Sequence, residues 1–175
     1  MITSIYPPKT IYEVWQSLPE GTFCQLINNN LIMSPAPLDI HQVILNEINI
    51  ELSIFLRKNK IGQLRIAPYD VHLSKRNIFQ PDLIFIANNN LDSIESKGMV
   101  GVPDLVIEVL SKGTAHIDLG EKKDIYEQYG VKEYYIIKPE TKKVQSFILR
   151  NKIFIELKET TGVITSELLQ TTISF

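Results

Sequence analysis

The chain has 175 residues, 44% hydrophobic and 22% charged, with a formal net charge of −2 and a pI near 5.9. That composition suits one globular domain, long enough to bury roughly 70% of its unfolded surface without covalent staples. The single Cys24 excludes an internal disulfide and a cysteine-built zinc site, no stretch reaches the ~18 apolar residues of a membrane span, and the charge balance is not that of a protein holding nucleic acid by electrostatics alone.

In chain order, Thr10 is placed to N-cap a short helix running to about Leu18, with Ile11, Val14, Trp15 and Leu18 apolar and Trp15 expected in the core. FCQLINNNLIMS reads as a hairpin around an asparagine turn, because Asn tolerates positive φ. After the break at SPAP, the periodicity predicts a helix from Leu38 to Asn59, its apolar face carrying Ile44, Ile48, Leu52 and Phe55. Strand patterns follow in QLRIAPYDVHLS, QPDLIFIA and PDLVIEVLS, with His72 facing outward, a turn at Asn88–Asn90, and an irregular stretch with a helical turn from Leu91 to Val102.

A second helix is predicted from Thr114 to Tyr129, closed by Gly130 as a left-handed cap, with His116 solvated near its start. EYYIIKP, KVQSFILR and KIFIELKE are further strands, and the last residues add a short one. Helices interrupt the strands without regular βαβ alternation. The expected fold class is therefore mixed, α/β or α+β: one domain over residues 1–175, with a mixed central sheet flanked by helices, an N-terminal hairpin and C-terminal strands. Without a basic segment and a long apolar core at the N-terminus, no secretory signal is expected, and the expected compartment is the cytoplasm.

Three charges stand where apolar side chains belong. Asp82 opens the run Leu83–Ile84–Phe85–Ile86, where it either caps a turn or projects into a site. Glu108 sits among Leu105, Val106, Ile107, Val109 and Leu110; the plain alternatives are an exposed edge strand or a structural salt bridge. Asp104 is another candidate acid, though its place after Pro103 suits the start of a strand. At 100° per residue, Ala115, Leu119, Ile125, Tyr126 and Tyr129 form one stripe, with Lys122 near its middle and Asp118 a turn earlier; Lys123 points away to solvent. Lys122 either snorkels to the surface, forms an ordinary i,i+4 pair with Asp118, or completes a site. Buried charge is costly unless paired or bound to metal. Two acids suit Mg²⁺ or Mn²⁺, and a nearby lysine suits water positioning and phosphoryl charge, so a metal-dependent hydrolytic site is expected.

QPDLIFI, GVPDLVIEVLS and DLGEKKDIYEQYGVKEYYIIKP together resemble the PD-(D/E)XK nuclease superfamily, and within it the Uma-two-type restriction-endonuclease branch that is abundant in cyanobacterial genomes. The resemblance covers most of the chain, including the LIMSP hairpin and His41 at the start of a helix. It implies a restriction-endonuclease-like core and a Mg²⁺-dependent endonuclease acting on DNA, for which a locally basic cleft would serve even in an acidic protein.

By the same resemblance Asp82 and Glu108 are metal ligands, with the Val109 carbonyl completing the shell. The lysine expected two residues after the acid is replaced by Leu110, and its role passes to Lys122 on the next helix. Where family hairpins carry acids, roughly E-L-I-D-G-E, this chain has Gln25, Asn28 and Asn30. That departure keeps open a catalytically inactive nuclease-fold protein that serves as a nucleic-acid-binding or protein-interaction module. Glu47, Glu51 and His41 are further candidates for the site, His41 also having a structural reading. Lys75, Arg76 and Lys112 are candidates for phosphate contact, and cutting two strands favours a homodimer joined through the strand-rich C-terminal part.

Overall fold

The structure, a computed structural model, describes residues 7–19 and 21–175; the opening residues that bear on a secretory signal lie partly outside the described residues. Helix α1 (Ile11–Gln16) starts in a capping box: Thr10 accepts from the Glu13 N–H while Glu13 reaches back to the Thr10 N–H. It is shorter than the pattern suggests and buries none of its residues fully. Trp15 is half-buried rather than in the core. Its indole donates to the Cys24 carbonyl at 3.2 Å and meets the His72 ring edge-on, so His72 is also partly covered instead of facing water.

The hairpin forms as read. Strands β1 (Cys24–Ile27) and β2 (Asn30–Met33) pair antiparallel around Asn28 and Asn29, both at positive φ, as a tight twisted turn requires. Helix α2 (Asp39–Asn59) buries Ile44, Leu45, Ile48, Leu52 and Leu56 along one side. The segment QLRIAPYDVHLS is two strands, β3 (Gly62–Ile66) and β4 (Val71–Ser74), because Pro68 cannot donate to a ladder and the chain changes sheet there. Strand β5 (Asn77–Phe79) follows, then β6 (Leu83–Ala87).

A 3₁₀ turn (Asn88–Ser93) leads to a small hairpin, β7 (Ile94–Glu95) and β8 (Gly98–Val100), where the sequence suggested irregular chain. The segment is too short to show a period, and what orders it is pairing with β4 and burial of Met99. Strand β9 (Leu105–Val109) precedes the second helical segment, and β10 (Glu133–Lys138), β11 (Lys143–Arg150), β12 (Ile153–Glu156), β13 (Thr160–Thr161), β14 (Val163–Ser166) and β15 (Thr171–Ser174) complete the chain.

One sheet has the order β12-β11-β10-β9-β6-β3, with β13 beside β11; its pairs are antiparallel except β9–β10. A second sheet, β2-β1-β5-β4-β8-β7, is antiparallel except β4–β8. Strict alternation along the first sheet divides the core. Leu83, Phe85, Leu105, Ile107, Tyr135 and Ile137 pack with α2 and the β14–β15 hairpin. Ile84, Ile86, Val106, Tyr134 and Ile136 pack toward the second sheet and the later helix. The fold is thus a mixed α/β architecture in which mixed sheets are flanked by helices.

That later helix is not the continuous α-helix that the periodicity predicts. It comprises α3 (Ala115–Ile117), a π turn (Asp118–Lys122) and α4 (Lys123–Tyr129), closed by Gly130 at φ 90°. The wide turn shifts the facing of what lies on it. Leu119, placed on the inner stripe by a regular 100° count, is 40% exposed, while Asp118 and Lys122 point inward. Lys123 is half-covered, its ammonium 5.2 Å from the Phe147 ring centre.

Asp104 is an architectural acid. Its carboxylate accepts from the Ala87 N–H at 2.8 Å, the Asn90 amide at 3.1 Å and Lys132 Nζ at 2.6 Å, tying β6, the 3₁₀ turn and the residue before β10 together. Burial opposes its ionisation, but these donors outweigh burial and hold its pKa below the usual 3.8. A carboxylate with a depressed folded pKa contributes stability above its unfolded pKa and loses it as pH falls through the folded one. Asp104→Asn is therefore expected to cost about 1–2 kcal/mol at neutral pH. In urea unfolding, the gap from wild type should shrink as the pH drops below 3.8.

Candidate active site

Strands β6 and β9 run antiparallel with Leu83 opposite Ile107. One residue further along the same register, Asp82 stands opposite Glu108. Period-two alternation then directs both acids to the face carrying Ile84 and Val106, away from α2's apolar stripe. Two acids 26 residues apart in the chain thereby become cross-strand neighbours, and the Asp82 N–H donates to Glu108 Oε2 at 3.3 Å.

Asp82 is held from several sides. Its carbonyl accepts from the Ala67 N–H at 3.0 Å, and its Oδ2 accepts from the Val109 N–H at 2.7 Å. His41, at the start of α2, places Nε2 3.1 Å from the same Oδ2. Glu108 Oε1 receives Lys122 Nζ at 2.8 Å and the Tyr126 hydroxyl at 3.1 Å. Lys122 also pairs with Asp118 Oδ1 at 3.0 Å and lies over the Phe79 ring. The π turn that turns Asp118 and Lys122 inward is anchored by Tyr134, whose hydroxyl donates to the Asp118 carbonyl at 3.0 Å. Phe79, Tyr126 and Tyr134 form the aromatic wall behind the charges.

Glu108 and Lys122 are each only 3% exposed, so neither the exposed-edge reading nor the snorkelling reading describes them. Burial pushes the Glu108 carboxyl up to about 8, with Lys122 pulling it back and Asp118 and Asp82 pushing it further. Asp118 is raised for the same reason, burial outweighing Lys122. Burial alone would lower Lys122, but its two carboxylates more than reverse this and keep it protonated. Burial would likewise lower His41, yet its hydrogen bond and charge pairing with Asp82 raise it. Three carboxyl groups thus share one ammonium and one imidazole.

Among the described residues, no three His, Cys, Asp or Glu side chains form a cage able to hold an ion by themselves. The donor set instead fits a metal that keeps much of its own water, as Mg²⁺ does when bound through one or two carboxylates. Among the described residues, Asp82 Oδ1 accepts no hydrogen bond, and Glu108 Oε2 accepts only the long one from Asp82. The buried His41 Nδ1 has no partner either. Val109 touches Asp82 through its N–H rather than its carbonyl.

The other candidates lie elsewhere. Glu47 pairs with Lys142 at 2.8 Å, and Glu51 is exposed. Gln25 is buried: its Oε1 accepts from the Gln80 N–H at 3.1 Å and its amide donates to Ser34 at 3.3 Å, which braces the segment just before Asp82. Asn28 donates to Glu121, beside Lys122, and Asn30 is exposed. Lys75, Arg76, Lys112 and His116 are exposed. The hydroxyls of Tyr126 and Tyr134 escaped sequence reasoning, because on an apolar stripe or in an apolar strand tyrosine reads as core.

The family model Uma2, described as "Putative restriction endonuclease", matches residues 11–174. The chain belongs to the Uma2 family. Its fold is similar to that of a solved structure from Anabaena variabilis ATCC 29413, described as a "putative nuclease belonging to DUF820", with a TM-score of 0.77 and 15% identity over 95% of both chains. That likeness establishes a nuclease-like fold for this Uma2 protein. No curated protein matches the chain.

Removing the one shared ammonium tests how the cluster is balanced. Lys122→Met leaves two buried acids uncompensated and is expected to cost about 3–5 kcal/mol at pH 8. Without Lys122 the folded pKa values of Glu108 and Asp118 rise further above their unfolded values, so the variant loses stability as pH rises and regains it as pH falls. Its deficit in urea unfolding should be smaller at pH 5 than at pH 8.

Proposed function

We propose that this chain acts as a single-domain, metal-dependent endonuclease that hydrolyses DNA phosphodiester bonds in the cytoplasm. The observation that carries the reading is the meeting of Asp82, Glu108 and Lys122: cross-strand acids on β6 and β9, with the helical lysine 2.8 Å from Glu108. Family membership supplies the nuclease class.

In this reading Asp82 and Glu108 would hold Mg²⁺ or Mn²⁺, with the Val109 carbonyl as a further donor. When bound, the ion supplies Lewis-acid polarisation of the phosphoryl group and a more acidic water. Val109 N–H and His41 fix the Asp82 carboxylate so that its free oxygen keeps one direction. Tyr126 and Lys122 do the same for Glu108. Lys122 remains protonated between Glu108 and Asp118, and its charge offsets the negative charge that grows on the phosphoryl oxygens as the water attacks. His41, in contact with Asp82, orients that carboxylate. Lys75, Arg76 and Lys112 are the basic surface groups available to DNA phosphates.

A second reading rests on Gln25. The resemblance expects an acid there, and the amide instead braces Gln80 and Ser34, which fits a nuclease fold retained as a nucleic-acid-binding or protein-interaction module.

Calorimetry with Mg²⁺ and Mn²⁺, paired with cleavage of supercoiled DNA, separates the two. The nuclease reading expects wild type to bind metal and cleave, EDTA to abolish cleavage, and Asp82→Asn or Glu108→Gln to lower the rate at least about a hundredfold, the scale of losing one electrostatic stabiliser of the transition state. Metal-independent DNA binding without cleavage would establish the module instead.

A further inference from the structure

Asp118 is the buried acid to which the proposed reaction gives no part. It is 4% exposed, and among the described residues its carboxylate has one partner, the Lys122 ammonium 3.0 Å from Oδ1. Asp104 and Glu133, also buried, each gather donors from separate stretches of chain and so hold the fold together. The Asp118 side chain joins no second element, since its partner lies four residues on in the same π turn. An ordinary i,i+4 pair sits on a solvated helix face and supports the helix slightly. This one is buried, where desolvating two charges costs more than so local a pair returns. Fold stability therefore does not account for an acid at this position.

The lysine does. Its ammonium carries three N–H donors on a flexible four-carbon stem. Glu108 Oε1 lies 2.8 Å from Nζ and Asp118 Oδ1 lies 3.0 Å from it, and among the described residues no third oxygen pairs with it. Two anchoring oxygens fix how a tetrahedral ammonium is turned, and with it where the third N–H points. A single anchor leaves the group free to spin. The two anchors also have separate supports. Glu108 stands on β9, whereas the Asp118 backbone is held to β10 by the Tyr134 hydroxyl, which donates to its carbonyl at 3.0 Å. In the proposed function Glu108 is also a metal ligand, so an ammonium tied to Glu108 alone would follow every adjustment of that carboxylate.

We infer, resting on the nuclease reading above, that Asp118 is a positioning residue: it fixes the orientation of the Lys122 ammonium so that one N–H stays directed at the substrate phosphoryl group. Asp118 acts through Lys122 rather than on the substrate. An ammonium already oriented needs no reorganisation when negative charge grows on the phosphoryl oxygens. Its benefit therefore falls on the transition state more than on binding.

Three measurements on the full chain test this role. In cleavage of supercoiled DNA, Asp118→Ala should lower kcat about ten- to a hundredfold with little change in KM, the scale of a small misplacement. Asp118→Asn keeps the shape and an acceptor oxygen for the ammonium, and should lose less. In urea both variants should unfold near the wild-type midpoint, because Lys122 retains Glu108 as its counter-ion. The third measurement needs neither metal nor DNA. In proton–nitrogen spectra tuned to lysine ammonium groups, wild type should give a slowly exchanging Lys122 signal, recognised by its contacts with the Phe79 ring, and Asp118→Ala should broaden it. An unchanged kcat in Asp118→Ala, while wild type cleaves, overturns the positioning role and leaves the nuclease reading standing. So does a Lys122 signal indifferent to the substitution, or a loss of stability in both variants with kcat per folded molecule unaltered. A wild type that cleaves with no divalent metal present or added overturns neither DNA cleavage nor the role of Asp118, provided Asp118→Ala still lowers kcat. A wild type that never cleaves overturns the nuclease reading and the positioning role with it.

Discussion

Two carboxylates side by side on adjacent buried strands repel each other and resist desolvation, and much of the surrounding structure answers that problem. The cross-strand pair Asp82 and Glu108 persists because its neighbours supply compensation: Lys122 within 2.8 Å of Glu108, the Tyr126 hydroxyl, the Val109 N–H and the His41 ring. Each partner comes from a different part of the chain. Moving the helix, the strands or α2 would leave buried charge without a counterpart, at a cost of several kcal/mol. The cluster is therefore a constraint on how the layers of the fold assemble.

The π turn belongs to the same logic. A regular α-helix through 115–129 would also bring Leu119 inward and keep Lys123 outside. Widening the turn at Asp118–Lys122, where the Tyr134 hydroxyl donates to the Asp118 carbonyl, aims one acid and one lysine at Glu108 together. Asp82, Glu108 and Asp118 thus have Lys122 and the His41 ring as their charged or chargeable partners. Local irregularity of this kind is common at functional sites. Here its effect is to turn Asp118 and Lys122 toward Glu108.

Two other buried acids differ from this cluster. Asp104 and Glu133 are as buried as Glu108, but their oxygens are taken up by donors that join one element to the next. Asp104 locks β6 to the residue before β10, and Glu133 binds Tyr135, Ser166 and the Leu168 N–H to dock the C-terminal hairpin. Asp82 differs in being partly open to solvent, and among the described residues its Oδ1 accepts no hydrogen bond. The distinction lies in unused hydrogen-bond acceptors rather than in burial.

The sequence by itself determined the mixed fold, the two capped helices near Thr10 and Gly130, the asparagine hairpin, and the placement of Asp82, Glu108 and Lys122 as out-of-place charges, because these depend on local φ preferences and apolar period. Tertiary structure decided the rest. Pro68 moved β4 into a second sheet, and the β7–β8 hairpin formed only by pairing with β4. The π turn redirected Leu119 and Lys123, since a regular count assumes a regular helix. His41 found Asp82 across 41 residues of chain, while Glu47 found Lys142 and Glu51 stayed in solvent. The physical reason is common to these cases. A residue's period tells which face it takes, but its partner on that face is set by strand register and layer packing, which no local pattern encodes.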